Sequence, residues 1–137
     1  METNESRGTT DVCVNNALAE MLQLLFAGHQ DRVAGVLLDR CPREALEALL
    51  ASRDYVLHGR VRYVVEDRLR FRKRTRDEQA YSCFRAMQFV LNTWCQEGRR
   101  SAIRKVLAEL DDEGLDRLGG MPGLDDEVVS IMRDFRQ

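Results

Sequence analysis

The chain is poor in the residues and patterns that usually mark chemistry. Of its 137 residues only two are histidine, His29 and His58, and one is tryptophan. It has no glycine-rich phosphate loop, no GxSxG elbow and no HExxH pair, so the common sequence signs of nucleotide binding, serine hydrolysis and zinc proteolysis are missing. Each histidine adjoins a glycine, Gly28 or Gly59, and reads as a solvated loop residue rather than a ligand or a base. The four cysteines, Cys13, Cys41, Cys83 and Cys95, form no CxxC pair, and neither a zinc site nor an activated thiol is expected. Scattered thiols among apolar neighbours fit a reducing compartment, so a cytoplasmic location is expected, with the nucleus as the alternative.

Long apolar runs are absent too. The longest stretch without charge, Cys13 to Gln30, is broken by Glu20 and is too short and polar to span a bilayer. The opening residues show no basic segment followed by an apolar one, so no secretory signal is expected. The chain is read as non-enzymatic, with no cofactor, no metal and no membrane partner.

What is present is helical periodicity. From Asp77 to Glu97 the residues Ala80, Phe84, Met87, Leu91 and Trp94 recur at spacings of four and three, one apolar seam widened by Cys83, Val90 and Cys95. Asp77 and Glu78 suit a first turn and Gly98 a stop, which predicts a central core helix over 77–97 with Trp94 and Phe84 shielded from water. Trp94 on this seam reads as core rather than as a platform for stacking a ligand or a base.

The rest of the chain supplies shorter helices around it. Residues 1–10 are polar and without periodicity, and are read as a disordered terminus before a single helical domain, 11–137. Asp11 or Asn15 caps a helix bearing Leu18, Met21, Leu22 and Leu25, and Gly28 ends it. A second helix starts near Asp31 with Val33, Val36 and Leu37 inward; Pro42 fits the first turn of a third with Ala45, Leu46, Leu49 and Leu50. The stretch 55–73 divides two readings, since Val61–Val65 favours a strand while Leu57, Val61, Val64, Val65 and Leu69 fit a helix. A helix is preferred because no second strand-like run exists for it to pair with. Ser101, then Asp111 or Asp112, then Asp125 or Asp126 open three more helices, the last carrying Val128, Val129, Ile131, Met132 and Phe135. The sum is an all-α bundle of six to eight short helices.

Charge is divided along the chain although the net charge is only −2. Arg60, Arg62, Arg68, Arg70, Arg72, Lys73, Arg74 and Arg76 crowd the middle; Glu109, Asp111, Asp112, Glu113 and Asp116, with Asp125, Asp126 and Glu127, crowd the end. The basic stretch allows three readings: a solvated helix face, a patch that docks a protein, or a grip on nucleic-acid phosphates. The acidic cluster cancels it over the domain, which is unusual for a nucleic-acid binder.

From His29 to Gly119 the chain resembles a caspase-recruitment domain, a branch of the death-fold superfamily. Asp31-Arg32-Val33 to Leu37-Leu38, followed by Ala45-Leu46-Glu47-Ala48-Leu49-Leu50, is similar to the bent first helix and leucine-rich second segment of that family. Thr75-Arg76-Asp77-Glu78-Gln79-Ala80 resembles its "TRxDQA" entry into the fourth helix. Gly98, Ala102, Val106, Leu110 and Leu115 to Leu118 follow in the order of its closing helices, and 124–136 adds a further helix. The resemblance implies an adaptor or modulator of apoptotic or innate-immune signalling that docks on another such domain or on itself. Arg60, Arg62, Arg68, Arg70, Arg72, Lys73 and Arg74 would then form one patch and Asp111, Asp112, Glu113 and Asp116 the other. Two rival resemblances stand beside it. Gly59 to Arg72 is similar to a late helix of the HEAT-like domain of translation-initiation scaffolds, implying an RNA-associated role. The single apolar central helix is similar in plan to a Bcl-2-like bundle, implying modulation of apoptosis or NF-κB.

Overall fold

The computed structural model describes residues 2–52, 57, 59–71 and 82–136. Among them lie eight helices and no strand: α1 (Glu2–Ala27), α2 (Asp31–Arg40), α3 (Arg43–Ala51), α4 (Gly59–Phe71), α5 (Cys83–Gln96), α6 (Arg100–Leu107), α7 (Asp112–Gly119) and α8 (Asp126–Arg136). The all-α bundle expected from the periodicity is what forms. Val61–Val65 is helical within α4: Val61 and Val65, one turn apart, are both buried, and packing there outweighs their preference for strands.

Two long helices share the centre, not one. α5 behaves much as its seam predicts, with Met87, Val90, Leu91 and Trp94 buried. Phe84, however, is only half-buried and packs against the edge of the core. The helix also starts later than expected. Ser82 is extended and its hydroxyl accepts from the Arg85 N–H at 3.4 Å, so Ser82 is the cap and α5 begins at Cys83. Ala80, Asp77 and Glu78 fall outside the described residues. The second central element is α1, which packs against α2, α3, α4, α5, α6 and α7.

Leu18, Met21, Leu22 and Leu25 of α1 are wholly buried, joined by Ala17 and Ala19 on its other sides. A helix apolar nearly all round its axis belongs in a core. α1 also runs from Glu2 rather than from a cap at Asp11 or Asn15, so the terminus read as disordered is helical at Glu2–Thr10. No proline interrupts it, and the roughly 1 kcal/mol cost of Gly8 within a helix is small beside the burial that anchors residues 14–25.

The ends of α1 and α5 are locked together. At the close of α1 the N–H of Gln30 bonds Leu25 O at 2.8 Å, and at the close of α5 the N–H of Arg99 bonds Trp94 O at 2.8 Å. Both turns need a left-handed residue, supplied by His29 (φ 58°) and Gly98 (φ 73°). Gln30 then bridges them: its Oε1 accepts from Trp94 Nε1 at 3.0 Å and its Nε2 donates to Glu97 at 2.9 Å. The buried indole N–H is thereby satisfied by a side chain 64 residues away. His29 is an exposed turn residue, as its place beside Gly28 suggested.

The remaining helices follow their signals with local shifts. Pro42 is the N-cap of α3 rather than part of its first turn, and Arg99 rather than Ser101 precedes α6. Asp111 caps α7, its carboxylate accepting from the Gly114 N–H at 2.9 Å. The turn at 121–123 is held against α5: Gln88 Nε2 donates to Pro122 O at 2.9 Å and Asn92 Nδ2 to Gly123 O at 3.0 Å. On α8, Val128, Ile131 and Met132 are buried but Phe135 is 41% exposed, because it lies in the last turn beyond the core's edge.

Candidate functional site

The described part of the arginine-rich stretch folds into α4, and its four arginines do not share one face. Val61 and Val65 point inward, which puts Arg68 at the inner edge of the helix and Tyr63 and Arg70, two turns apart, on its outermost line. Arg68 reaches across to α2, where its guanidinium pairs with Asp39 at 2.7 Å and lies over Gly35. A Cβ on Gly35 would stand 2.9 Å from Arg68 Nη2, so this glycine makes room for the pair.

Eight residues earlier on both helices, Arg60 pairs with Asp31 at 2.5 Å and sits 5.8 Å from the ring centre of Phe26. Two matched pairs at the same offset show that α2 and α4 run in the same direction, with the pairs ~12 Å apart along the axes. Arg62 pairs with Glu66 at 3.1 Å on its own helix and reaches Leu50 O. Arg70 is exposed. Arg72, Lys73 and Arg74 lie outside the described residues.

Three of the four described arginines of the stretch are thus engaged inside the chain, which leaves less free positive charge than the sequence suggests. What the described part of the stretch presents outward is Tyr63, 66% exposed, with Arg70 two turns further along the same line and the Arg62–Glu66 pair on its flank. Sequence reasoning passed over this tyrosine. Its signal was available: on a helix with Val61 and Val65 inside, position 63 must face water.

The acidic cluster gathers at the start of α7, the positive end of its dipole. Asp111 serves as the cap, and Glu113 pairs with Arg117 at 2.9 Å one turn on. Asp112 and Asp116 are exposed, and all four acids have further interactions within the chain. Asp111 also stands near Cys13 of α1, whose pKa is raised first by burial and then by that negative charge. The basic and acidic groups therefore sit on separate helices, α4 and α7, each packed on α1.

Two thiols occupy more distinctive places. Cys95 donates to Glu127 Oε2 at 3.3 Å, and its Sγ, Asp125 and Glu127 offer ligand atoms that all lie within 4.8 Å of one another. Burial and hydrogen bonds to the two carboxylates push this thiol up to about 12. Glu127 is also ion-paired with Arg100, and Asp125 Oδ1 accepts from the Glu127 N–H at 2.9 Å. The group joins α5 and α6 to the start of α8. Cys83, at the start of α5, borders an open cleft of about 330 Å³ between α1 and α3, lined by Asp11, Val14, Asn15, Pro42, Glu44, Ala45 and Ala48. Burial, then the charges of Asp11 and Glu44, push its thiol up to about 11. Both thiols stay protonated at neutral pH, when a nucleophile would need the thiolate.

No family model matches the chain, and neither a curated protein nor a solved structure does.

Proposed function

We propose that this chain is a non-enzymatic protein–protein interaction module, an adaptor or modulator in the manner of the death-fold domains it resembles, working in the cytoplasm. One observation carries the reading: the outer line of α4, where Tyr63 stands 66% exposed and Arg70 is exposed two turns along, with the Arg62–Glu66 pair alongside. Tyrosine and arginine dominate binding energy at protein interfaces, because each combines a broad apolar body with a directional polar end. A folded chain that leaves a tyrosine this exposed on the same helix line as an arginine has a surface suited to an acidic partner with an apolar cleft. The paired arginines Arg60 and Arg68 hold α4 in place, while Tyr63 and Arg70 make the contact. The acids of α7 supply a second face of opposite sign for orientation.

The test compares partner capture by the wild type with capture by Tyr63→Ala and Arg70→Glu, using Arg104→Glu, at an exposed position of α6, as the control. A specific partner should be lost at least tenfold with the two α4 variants and kept with the control, with the helical circular-dichroism signal unchanged in all. Equal capture by all four proteins would remove α4 as the docking face.

A further inference from the structure

The cleft between α1 and α3 has a chemistry of its own, separate from α4. Its floor is apolar: Val14 and Ala45 are buried, Ala48 and Pro42 half-buried. Its rim carries two exposed carboxylates, Asp11 from α1 and Glu44 from α3. Neither makes an ion pair among the described residues, whereas Glu47, one turn beyond Glu44, pairs with Arg43. Cys83 lines the same cleft and feels the charge of both carboxylates, so the two acids and the thiol come to it from three helices.

The combination selects an occupant. A purely apolar side chain would use the floor and leave both acids unanswered, and an acidic one would be repelled. A small cation would use the acids and ignore the floor. Lysine and arginine use both, laying the methylene stem on apolar carbon and holding the charged head at the edge, where it keeps its water and meets carboxylates. The volume of about 330 Å³ is within the range of pockets that hold a side chain or a small ligand.

We propose that this cleft is a docking pocket for a lysine or arginine side chain carried by a segment of a partner protein, its stem on Val14, Ala45 and Ala48 and its cationic head between Asp11 and Glu44. The pocket goes beyond the α4 surface and does not depend on it: α4 would meet an acidic feature of a partner, the cleft a basic one.

Cys83 supplies the readout, since an occupant covers it. The full chain is alkylated with iodoacetamide at mildly alkaline pH, and labelling of each cysteine is followed by peptide mass spectrometry. Three blocked pentapeptides of alanine and leucine are added at millimolar concentration, with arginine, citrulline or glutamate at the centre. The arginine peptide should slow labelling of Cys83 about threefold or more and leave Cys95 unchanged, while the citrulline and glutamate peptides do nothing. Asp11→Asn with Glu44→Gln, both at exposed sites and checked for helicity, should abolish the protection. Tyr63→Ala and Arg70→Glu should leave it intact, so that failure of the α4 surface and failure of the cleft give different results. Equal protection by citrulline overturns the proposal in favour of a merely apolar groove. Absence of protection by arginine overturns it outright. Because the raised thiol reacts slowly even in the free protein, binding of the arginine peptide is also followed by calorimetry. No more heat than the glutamate peptide gives overturns the proposal equally.

Discussion

Trp94 joins the core of this molecule to its turns. It is 1% exposed, and its indole N–H is held by Gln30, which itself holds Glu97. Truncating a buried tryptophan costs about 3–5 kcal/mol, a large share of the roughly 5–15 kcal/mol that stabilises a domain. Trp94→Ala should therefore show no cooperative melt. Trp94→Phe keeps part of the apolar contact and should fold with a lower Tm, having lost the bond to Gln30 and left a small cavity where the larger ring system stood. Wild-type fluorescence should peak at short wavelength and resist an aqueous quencher.

The raised thiols make a second prediction at this scale. In the folded state Cys95 and Cys83 hold protons up to about 12 and about 11 that the unfolded chain releases near the ordinary 9.0. The folded form binds more protons in that window. The contribution is therefore complete below pH 9 and is lost as pH climbs toward the folded values. Urea unfolding of the wild type should weaken between pH 9 and about 11, and Cys95→Ser, which has no thiol to titrate, should weaken less over the same window.

Among the elements, the connection from α7 to α8 depends most on a single backbone choice. Gly123 has φ 92°, where an L side chain is strained, and a Cβ there would stand 2.9 Å from Gln88 Nε2. Gln88 uses that nitrogen to hold Pro122 O, and Asn92 holds both Gly123 O and the Asp125 N–H, the latter at 2.9 Å. Gly123→Ala should cost about 1–2 kcal/mol from the left-handed backbone alone. Part of the effect should appear locally, as faster amide exchange of Asp125 and Glu127 before any loss of the α1 and α5 core. Global unfolding with uniform exchange would mean that the turn is no separate unit. A second element-scale feature, the parallel pairing of α2 and α4 through Asp31–Arg60 and Asp39–Arg68, is half-exposed and adds orientation more than stability.

For the whole molecule, the decisive quantity is how much of its charge remains available. Three of the four described arginines of α4 are paired within the chain, so those three are less available to grip phosphates than their spacing suggests. If only α4 gripped a single-stranded RNA, binding should be weak, with a log–log salt slope of about −0.7 for each neutralised phosphate. Titration of a labelled generic RNA at several salt concentrations measures it. A slope several times steeper would favour the RNA-associated reading of the same stretch.

The sequence by itself determined the kind of molecule this is. The spacing of Met87, Leu91 and Trp94 set a helix and its buried face, and the Asp111–Asp112 pair marked the start of another to within a residue, because periodicity and capping are local properties read within a turn or two. Position 63 was readable in the same way once Val61 and Val65 were placed inside. What the local pattern could not rank was importance. α1 showed an apolar face in Leu18, Met21, Leu22 and Leu25 like those of its neighbours, and its place at the centre appears only when six other helices close around it. The fate of the arginines was equally hidden. Whether Arg60 and Arg68 face a partner or face Asp31 and Asp39 depends on α2 lying parallel to α4, a pairing across 29 residues of chain that no local spacing records. The cleft was hidden for the same reason: Asp11, Glu44 and Cys83 share no motif, and only the packing of α1, α3 and α5 brings two carboxylates and a thiol to one apolar floor.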